Sequence, residues 1–360
     1  MMSKTLYCAI SSHGFGHISQ SAPILSRLYR LRPDINIIIQ CAIDRAWLDE
    51  RFDFPFVYVR QSSDFGMVMK SALEIDVQAS HQAYLEVHEH WQDKVQETMQ
   101  MISQFQPDLI YCNIAYLVNA AAARLSIPVI NLCSLNWYQT YQAYCKDRPG
   151  ASHIMQTMLQ AYNTAEVFLT PEPSMSMPEI NAVKTIGPVA RRGLQRADDI
   201  RRLLGLAPES RLVLVSYGGL EYPVSFSRWP QTNGIYFLVS EKVRIKRNDF
   251  IAYESLCIPY IDILSSVDVI MTKSGYGTYV EAACNSIAVM YTRRPDWPED
   301  SFLVQWLEKQ ANCIEVPREN LQNGDILEGL QKLLQQPGRP AIEPEGNIQA
   351  SDELIKYLTN

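Results

Sequence analysis

The sequence predicts an α/β protein with two doubly wound parallel sheets, one in each of two lobes that face a cleft. Two observations predict this fold class. Short apolar runs bounded by loops alternate with longer helical stretches, a pattern typical of parallel strands covered on both faces by helices. The alternation also restarts near the middle of the 360 residues, and a chain of this length commonly forms two domains.

The first half begins with an apolar run at 6–10, which predicts a buried strand. The strands predicted after it are 36–40, 109–112, 129–132 and 167–169. The helices predicted between them are 23–30, one long helix over 78–104, and 120–125. A proline-bearing passage from Pro171 to Pro188 then predicts a linker between domains.

The second half repeats the pattern after a short helix over 201–206. Its predicted strands are 212–216, 236–239, 267–271 and 288–291, and a helix is predicted at 279–284. The last helix is predicted over 351–358 with Ser351 as its N-cap. We expect a first domain over residues 1–187, a second over 188–345, and a C-terminal segment, 346–360, that packs back on the first.

Composition excludes several classes of protein. Hydrophobic residues make up 47% of the chain and charged residues 20%, which is typical of a folded protein. The net charge of -7 argues against a nucleic-acid binder. No apolar run reaches the ~18 residues of a membrane span, and the N-terminus lacks a signal-peptide pattern. Eight cysteines without a CxxC pair predict free, mostly buried thiols rather than a zinc site. We expect a soluble, cytoplasmic protein.

Positive charge is concentrated at mid-chain. Residues 184–247 contain twelve Lys or Arg and five Asp or Glu, a local excess of +7. One interpretation is ordinary solvated helix and strand surfaces. The other is a basic flank that attracts a phosphorylated ligand or makes peripheral contact with an anionic membrane surface.

A loop rich in glycine and histidine follows the first predicted strand. Glycines at 14 and 16 permit a tight turn and let backbone N–H groups approach a ligand at the next helix start. An NAD fingerprint is not favoured, because position 19 is serine and the first acidic residue after strand two, Asp44, comes late. His17 opens the helix and is the candidate general base, whereas His13 lies nearer the strand and orders the loop. The alternative is two structural loop histidines.

A second glycine loop follows the predicted strand 267–271. Lys273 and the helix start after Gly277 form a candidate anion site. Thr278 and Glu281 lie in the first turns of that helix, where the carboxylate can bond a ribose diol. The alternative is an ordinary capping arrangement of these two residues.

Two further patterns have structural interpretations. His81, His88 and His90 lie on the predicted long helix, where a solvated face is favoured over a metal site because further ligands cannot be placed. The charges over 242–247 alternate as on the edge of a solvent-facing strand.

The second loop resembles a known family. Residues 268–316 resemble the donor-binding segment of glycosyltransferases with the GT-B fold of two Rossmann-like lobes. These include the UDP-glucuronosyltransferase-like enzymes and the bacterial peptidoglycan N-acetylglucosaminyltransferase. Thr278 matches a Thr of the family's motif, and Glu281 matches the Glu, three residues on, that holds the nucleotide ribose. Residues 14–17 match the family's glycine-rich first loop. The run 273–277 is similar to the glycosyltransferase-like half of plant L-arabinokinases.

The resemblance implies an inverting, metal-independent transfer of sugar from a nucleotide sugar, UDP-linked in this interpretation, to an acceptor hydroxyl, with His17 as base and no cofactor. The first domain would be the acceptor side and the second the donor side. The implied nucleotide and phosphate contacts are Gly16, Gly218, Gly219, Ile258, Lys273, Ser274, Gly275, Tyr276, Gly277, Thr278 and Glu281. The implied donor-sugar contacts are Arg293, Glu299 and Asp300. Gln20 departs from the arginine of the closer relatives.

Two other functions stay open. One is a nucleotide-sugar epimerase on the same fold. The other is a non-catalytic sugar-nucleotide sensor or partner subunit. Release of UDP, formation of an epimer, or neither, distinguishes the three.

Overall fold

The computed structural model describes residues 3–71, 74–217, 224 and 226–359. Their contacts divide the chain into two compact units. Unit 1 contains the described residues up to Val189, together with Trp297–Glu299 and those from Pro344 onward. Unit 2 contains Ala190–Asp296 and Asp300–Glu343.

Unit 1 is built on a parallel sheet. Its strands are β1 (Thr5–Ile10), β2 (Asn36–Gln40), β3 (Val57–Val59), β4 (Leu109–Asn113), β5 (Val129–Leu132), β6 (Val167–Pro171) and β7 (Val183–Ile186). Among the described residues they form one sheet in the order β3-β2-β1-β4-β5-β6-β7. The side chains of β1 alternate between two apolar clusters, so both faces of this strand are buried. This double burial is what its uninterrupted apolar run predicts.

Helices cover the sheet of unit 1. They are α1 (Phe15–Leu31), α2 (Arg45–Asp49), α3 (Val77–Glu89), α4 (Trp91–Ser103), α5 (Tyr116–Leu125), α6 (Trp137–Cys145) and α7 (Ala151–Tyr162). The order of the strands reverses between β1 and β4. The loops after these two strands therefore open at the carboxyl edge where ligands bind in doubly wound folds.

Unit 2 repeats the architecture on a shorter sheet. In chain order its elements are α8 (Ala197–Leu203), β8 (Arg211–Val215), β9 (Ile235–Val239), β10 (Phe250–Ala252), α9 (Tyr260–Ser266), β11 (Val269–Lys273), α10 (Tyr276–Cys284), β12 (Ala288–Thr292), α11 (Asp300–Gln310), β13 (Cys313–Glu315), α12 (Arg318–Asn323) and α13 (Leu327–Gln335). Within the described ranges the strand order is β10-β9-β8-β11-β12-β13. Here the order reverses between β8 and β11, so the second glycine loop also lies at such a point.

The last helix, α14 (Glu345–Thr359), lies in unit 1 and packs against α1. It begins six residues earlier than the sequence predicts, so Ser351 is inside the helix and is not its N-cap. Gly346 is required at its start, because a Cβ there would lie 2.1 Å from the carbonyl oxygen of Gly187. The N–H of Gly346 donates to the carbonyl of Pro188, which fixes this close approach.

Two sequence predictions of secondary structure are wrong. The long helix over 78–104 is two helices that meet at His90, because α3 packs against α6 and α7 whereas α4 packs against α5. The predicted linker after Pro171 contains β7, which pairs with β6 and extends the first sheet.

One smaller prediction fails, and another is confirmed with an exception. Residues 242–247 form an irregular segment rather than an edge strand, although their exposure alternates as predicted. All eight cysteines are free thiols and most are buried, but Cys257 is exposed in spite of its apolar neighbours.

Candidate functional site

The first glycine loop connects β1 to α1 in unit 1. The N-cap of α1 is Gly14, which has no side chain to cap the helix. Gly14 has an extended φ of -171°, which any residue can adopt. Among the described residues, no atom lies within 4 Å of where a Cβ would stand on Gly14 or Gly16. The backbone at the start of α1 therefore borders open space, as a ligand-binding loop requires.

His17 lies in the first turn of α1 and is held by amide side chains. Its Nδ1 is 2.8 Å from Oδ1 of Asn113, the last residue of β4. The orientation of this amide is fixed because its Nδ2 donates to Oε1 of Gln20, and Gln20 in turn donates to Oγ of Ser134. Nδ1 of His17 consequently carries the proton and donates to Asn113, which leaves the lone pair on Nε2.

Burial sets the protonation state of His17. The residue is 7% exposed, and loss of hydration lowers the pKa of the imidazole to about 4. The hydrogen bond to Asn113 acts in the opposite direction but is the smaller effect. The ring is therefore neutral near pH 7, with Nε2 unprotonated.

His13 is engaged by its surroundings in a different way. Its Nε2 donates to the carbonyl oxygen of Met67 at 3.1 Å. The ring lies parallel to that of Trp297, with centroids 6.0 Å apart, and meets the Trp137 ring edge-on at 5.1 Å. These contacts order the loop between β1 and α1.

The sequence did not predict a role for Asp64, whose carboxylate lies beside the loop between β1 and α1. Asp64 accepts a hydrogen bond from Oγ of Ser11 at 2.6 Å and another from Nε1 of Trp137 at 2.7 Å. The residue is half-buried, and desolvation raises the pKa of its carboxyl group to about 6, although the two hydrogen bonds act in the opposite direction. Its sequence surroundings, a serine pair and then Asp-Phe-Gly, are ordinary turn chemistry and gave no signal of this role.

The second glycine loop connects β11 to α10 in unit 2. Lys273 ends β11, and the backbone N–H of Ser274 donates to the carbonyl of Thr292 at 2.9 Å. The N-cap of α10 is Gly275, with an extended φ of -178°. The first turn, with Tyr276 and Gly277, thus follows a residue that has no capping side chain.

The position of this helix start decides between the two interpretations of Thr278 and Glu281. Because α10 begins at Tyr276, neither residue occupies the N-cap, and the capping interpretation is wrong. Thr278 is half-buried and Glu281 is 5% exposed one turn further on. The buried carboxylate of Glu281 therefore does not cap α10.

The residues expected at the donor sugar differ in their contacts. Both oxygens of Asp300 are already bonded, Oδ2 by the Arg293 guanidinium and Oδ1 by the backbone N–H of Arg294 at 2.8 Å. Glu299 is buried in unit 1, where its Oε2 accepts from Nε1 of Trp297. Ile258 packs against the apolar core of unit 2. The expected contacts at Gly218 and Gly219 lie outside the described residues.

The predicted solvated face for the histidines of α3 is wrong for two of them. His81 and His88 are buried rather than on a solvated face, and they pair with the hydroxyls of Tyr141 and Tyr116. A helical spacing alone could not show that these imidazoles point inward. Over the described ranges, no three His, Cys, Asp or Glu side chains are grouped to hold a metal ion.

Much of the positive charge of 184–247 is neutralised locally. Arg196 pairs with Asp262, Arg211 pairs with Asp268, and both acids lie outside the basic segment. Other cations of the segment that form ion pairs include Lys184, Arg192, Arg201, Arg202 and Arg247. This favours the interpretation of the segment as ordinary protein surface. In the part of the chain that the structure describes, no helix has both the length and the apolar character to cross a membrane.

Solved structures share this fold along the whole chain. The calicheamicin glycosyltransferase CalG4 superposes with a TM-score of 0.68 at 15% identity, covering 100% of this chain and 99% of that one. The chain has the GT-B fold. The Arabidopsis thaliana glycosyltransferase UGT89C1, solved with UDP, gives a TM-score of 0.56 at 12% identity over 99% of this chain and 100% of that one.

One curated relative matches in sequence. An L-arabinokinase of Arabidopsis thaliana is 24% identical over 358 residues, which are 97% of this chain and 33% of that protein. The chain thus spans about a third of the length of this relative. No protein-family model matches the chain.

Proposed function

We propose that this GT-B chain transfers a sugar from a nucleotide sugar, UDP-linked in our proposal, to the hydroxyl of an acceptor. The observation that carries the proposal is the neutral imidazole of His17, whose Nδ1 is fixed on Asn113 at the carboxyl edge of the first sheet. A ring that is unprotonated near pH 7 and fixed in one tautomer would offer the Nε2 lone pair to the proton of an acceptor hydroxyl.

In the proposed reaction, Nε2 of His17 takes the proton as the acceptor oxygen bonds to the anomeric carbon. The bond from that carbon to the diphosphate oxygen breaks on the opposite face, so the configuration inverts and the nucleoside diphosphate leaves. Asn113 keeps the proton on Nδ1 and accepts a stronger hydrogen bond as the ring gains charge. Because its amide is neutral, it stabilises the imidazolium less than a carboxylate would.

The leaving diphosphate would be held by unit 2. The N–H groups at the start of α10 and the ammonium of Lys273 supply positive charge without a divalent ion. We therefore propose a metal-independent reaction. The backbone at Gly275 and Ser274 would approach the phosphates, and Glu281 would accept hydrogen bonds from the ribose hydroxyls.

The donor sugar would be bound by Arg293 and Glu299. The bonds that Asp300 already makes fix the Arg293 guanidinium, so we assign Asp300 to the support of this loop. The choice of UDP is supported by the presence of UDP in UGT89C1, a structure of the same fold. The acceptor is left open as an alcohol.

The test is incubation of the protein with a panel of UDP-sugars, with and without a panel of hydroxyl acceptors. We expect acceptor-dependent release of UDP and a product whose anomeric coupling constant, measured by proton NMR, is inverted relative to the donor. EDTA should leave the rate unchanged. An epimer formed without acceptor would instead support the epimerase, and tight UDP binding without turnover would support the sensor.

A further inference from the structure

Asp64 is connected to the first glycine loop by hydrogen bonds through Ser11. The carboxylate accepts from Oγ of Ser11, and the same oxygen of Ser11 accepts from the backbone N–H of His13 at 3.3 Å. The backbone N–H of Ser11 donates to the carbonyl of Asn113 at 2.6 Å. Asp64 thus connects to the loop at the point where it leaves β1.

The carboxylate of Asp64 also fixes the indole ring of Trp137, which lies beside both loop histidines. Nε1 of Trp137 donates to Asp64, and the Trp137 ring lies 5.1 Å from the His13 ring and 5.8 Å from the His17 ring between centroids. Trp137 is fully buried, so its indole N–H depends on this one acceptor.

Residues 64–67, the Asp64 loop, are packed tightly against both rings. At Gly66, with a φ of +63°, a Cβ would lie 2.6 Å from Cδ2 of His13 and 2.7 Å from the Trp137 ring. The next carbonyl, of Met67, accepts from Nε2 of His13. The loop therefore fixes the His13 and Trp137 rings by shape and by hydrogen bonds together.

We propose that Asp64 is a positioning residue of the transfer site, which holds Ser11 and Trp137 and through them the two loop histidines. This proposal rests on the transfer function proposed above. Asp64 acts through these neighbours and takes no proton from the substrate.

The role of Asp64 depends on its ionisation. An ionised carboxylate accepts from Ser11 and Trp137 at once, whereas a protonated one becomes a donor on one oxygen. The indole N–H cannot accept, so the proton would fall on the oxygen that faces Ser11. The hydroxyl of Ser11 would then have to turn, which alters the anchor of the glycine loop.

Burial places this change in an accessible range of pH, because it raises the pKa of Asp64 to about 6. The ionisable side chains that influence or border this cluster are Cys41, Tyr84, Cys112, Tyr116 and Tyr162, with His13 and His17 against the Trp137 ring. Burial raises the pKa of each of these thiols and phenols, so they stay neutral near pH 6.

The first experiment measures the Trp137 environment without any assay of activity. The protein is labelled with 5-fluorotryptophan, and the Trp137 resonance is assigned with the Trp137→Phe variant. We expect this 19F resonance to titrate with a midpoint near pH 6 in the wild type and to lose that titration in Asp64→Asn.

The matched control is Asp108→Asn. Asp108 is also a carboxylate of unit 1, but it accepts from the backbone N–H of Thr5 at the opposite edge of the sheet. In this variant the 19F resonance of Trp137 should titrate as it does in the wild type. An indole resonance that does not titrate near pH 6, or that titrates equally in Asp64→Asn, would overturn the proposal whether or not the chain transfers sugar.

The second experiment is the pH profile of kcat/KM with a working donor and acceptor. The wild type should lose activity as the pH falls through about 6. In Asp64→Asn the amide NH2 faces Ser11 as the protonated carboxyl does. This variant should therefore lack the limb near pH 6 and show, at pH 8, the lowered kcat/KM that the wild type shows at low pH. Asp64→Ala should lower kcat/KM by tenfold or more, because Trp137 loses its acceptor. An unchanged acid limb in Asp64→Asn would contradict the positioning role even if Asp64→Ala does not fold.

Discussion

The two glycine loops of the molecule share one backbone design and differ in their side chains. Each follows a buried parallel strand at the point where the strand order reverses, and each opens a helix behind an extended glycine N-cap, Gly14 or Gly275. The first loop carries two histidines that neighbouring elements hold by side-chain and backbone hydrogen bonds. The second carries Lys273 and a buried carboxylate, Glu281, one turn into the helix.

In the proposed function, this difference means that the backbone and the side chains of such a loop serve different functions, anion binding and acid–base chemistry respectively. A helix start supplies N–H groups whatever the sequence around it, so both loops suit an anion or another hydrogen-bond acceptor. Acid–base chemistry needs a side chain of fixed tautomer, and in the first loop that requires partners from two other parts of unit 1, Asn113 on β4 and Asp64 after β3. The second loop needs no such partners to present its N–H groups.

The largest expected effect is on the first loop. His17→Ala should lower kcat by ~10²–10⁴ while the Kd of UDP stays within about threefold, because proton transfer contributes in the transition state. His13→Ala is the matched variant and should cost less, since its ring orders the loop. The measurements are UDP release with a working acceptor and calorimetric titration of UDP. Full turnover of His17→Ala would assign the base to another group.

The second loop should respond in binding rather than in turnover. Glu281→Ala should weaken UDP binding by ~1.5–3 kcal/mol, the worth of hydrogen bonds to a charged group. Turnover at saturating donor should fall much less, because a ribose contact is similar in ground and transition states. The control is Glu319→Ala, which removes an exposed carboxylate of the same unit. Unchanged affinity by calorimetry would remove Glu281 from the nucleotide site.

The smallest effects should come from glycine-to-alanine substitutions, each of which adds one methyl group. Gly16→Ala and Gly275→Ala place a methyl group where the nearest described atom is beyond 4 Å or at 3.9 Å, so each should change unfolding stability by less than ~1 kcal/mol. We expect Gly16→Ala and Gly275→Ala each to raise the Kd of UDP severalfold, because both glycines are expected nucleotide or phosphate contacts.

Gly66→Ala is the contrasting variant. Its positive φ and its contacts with two rings should lower unfolding stability by ~1–3 kcal/mol. Thermal unfolding and UDP titration of the three variants test the set. Equal stability of Gly66→Ala and wild type, or unchanged ligand binding by both other variants, would contradict the comparison.

The sequence predicted the main strands because their burial is local information. Runs such as 36–40 and 109–112 are apolar without interruption, and strands buried on both faces need such runs. It missed β3, β7, β10 and β13, which are short strands or strands with exposed residues and show no such run. It also joined α3 and α4 into one helix, since the break at His90 involves neither proline nor glycine and comes from packing against different helices.

By itself the sequence determined the fold class, the two glycine loops and the candidate residues His17 and Glu281, because these depend on spacing along the chain. Only the tertiary structure decided which groups accompany them. Asn113 lies 96 residues from His17, and Asp64 lies 53 residues from Ser11. Parallel strands bring their carboxyl ends to one edge regardless of chain distance, so the tautomer of His17 and the raised pKa of Asp64 follow from the sheet order.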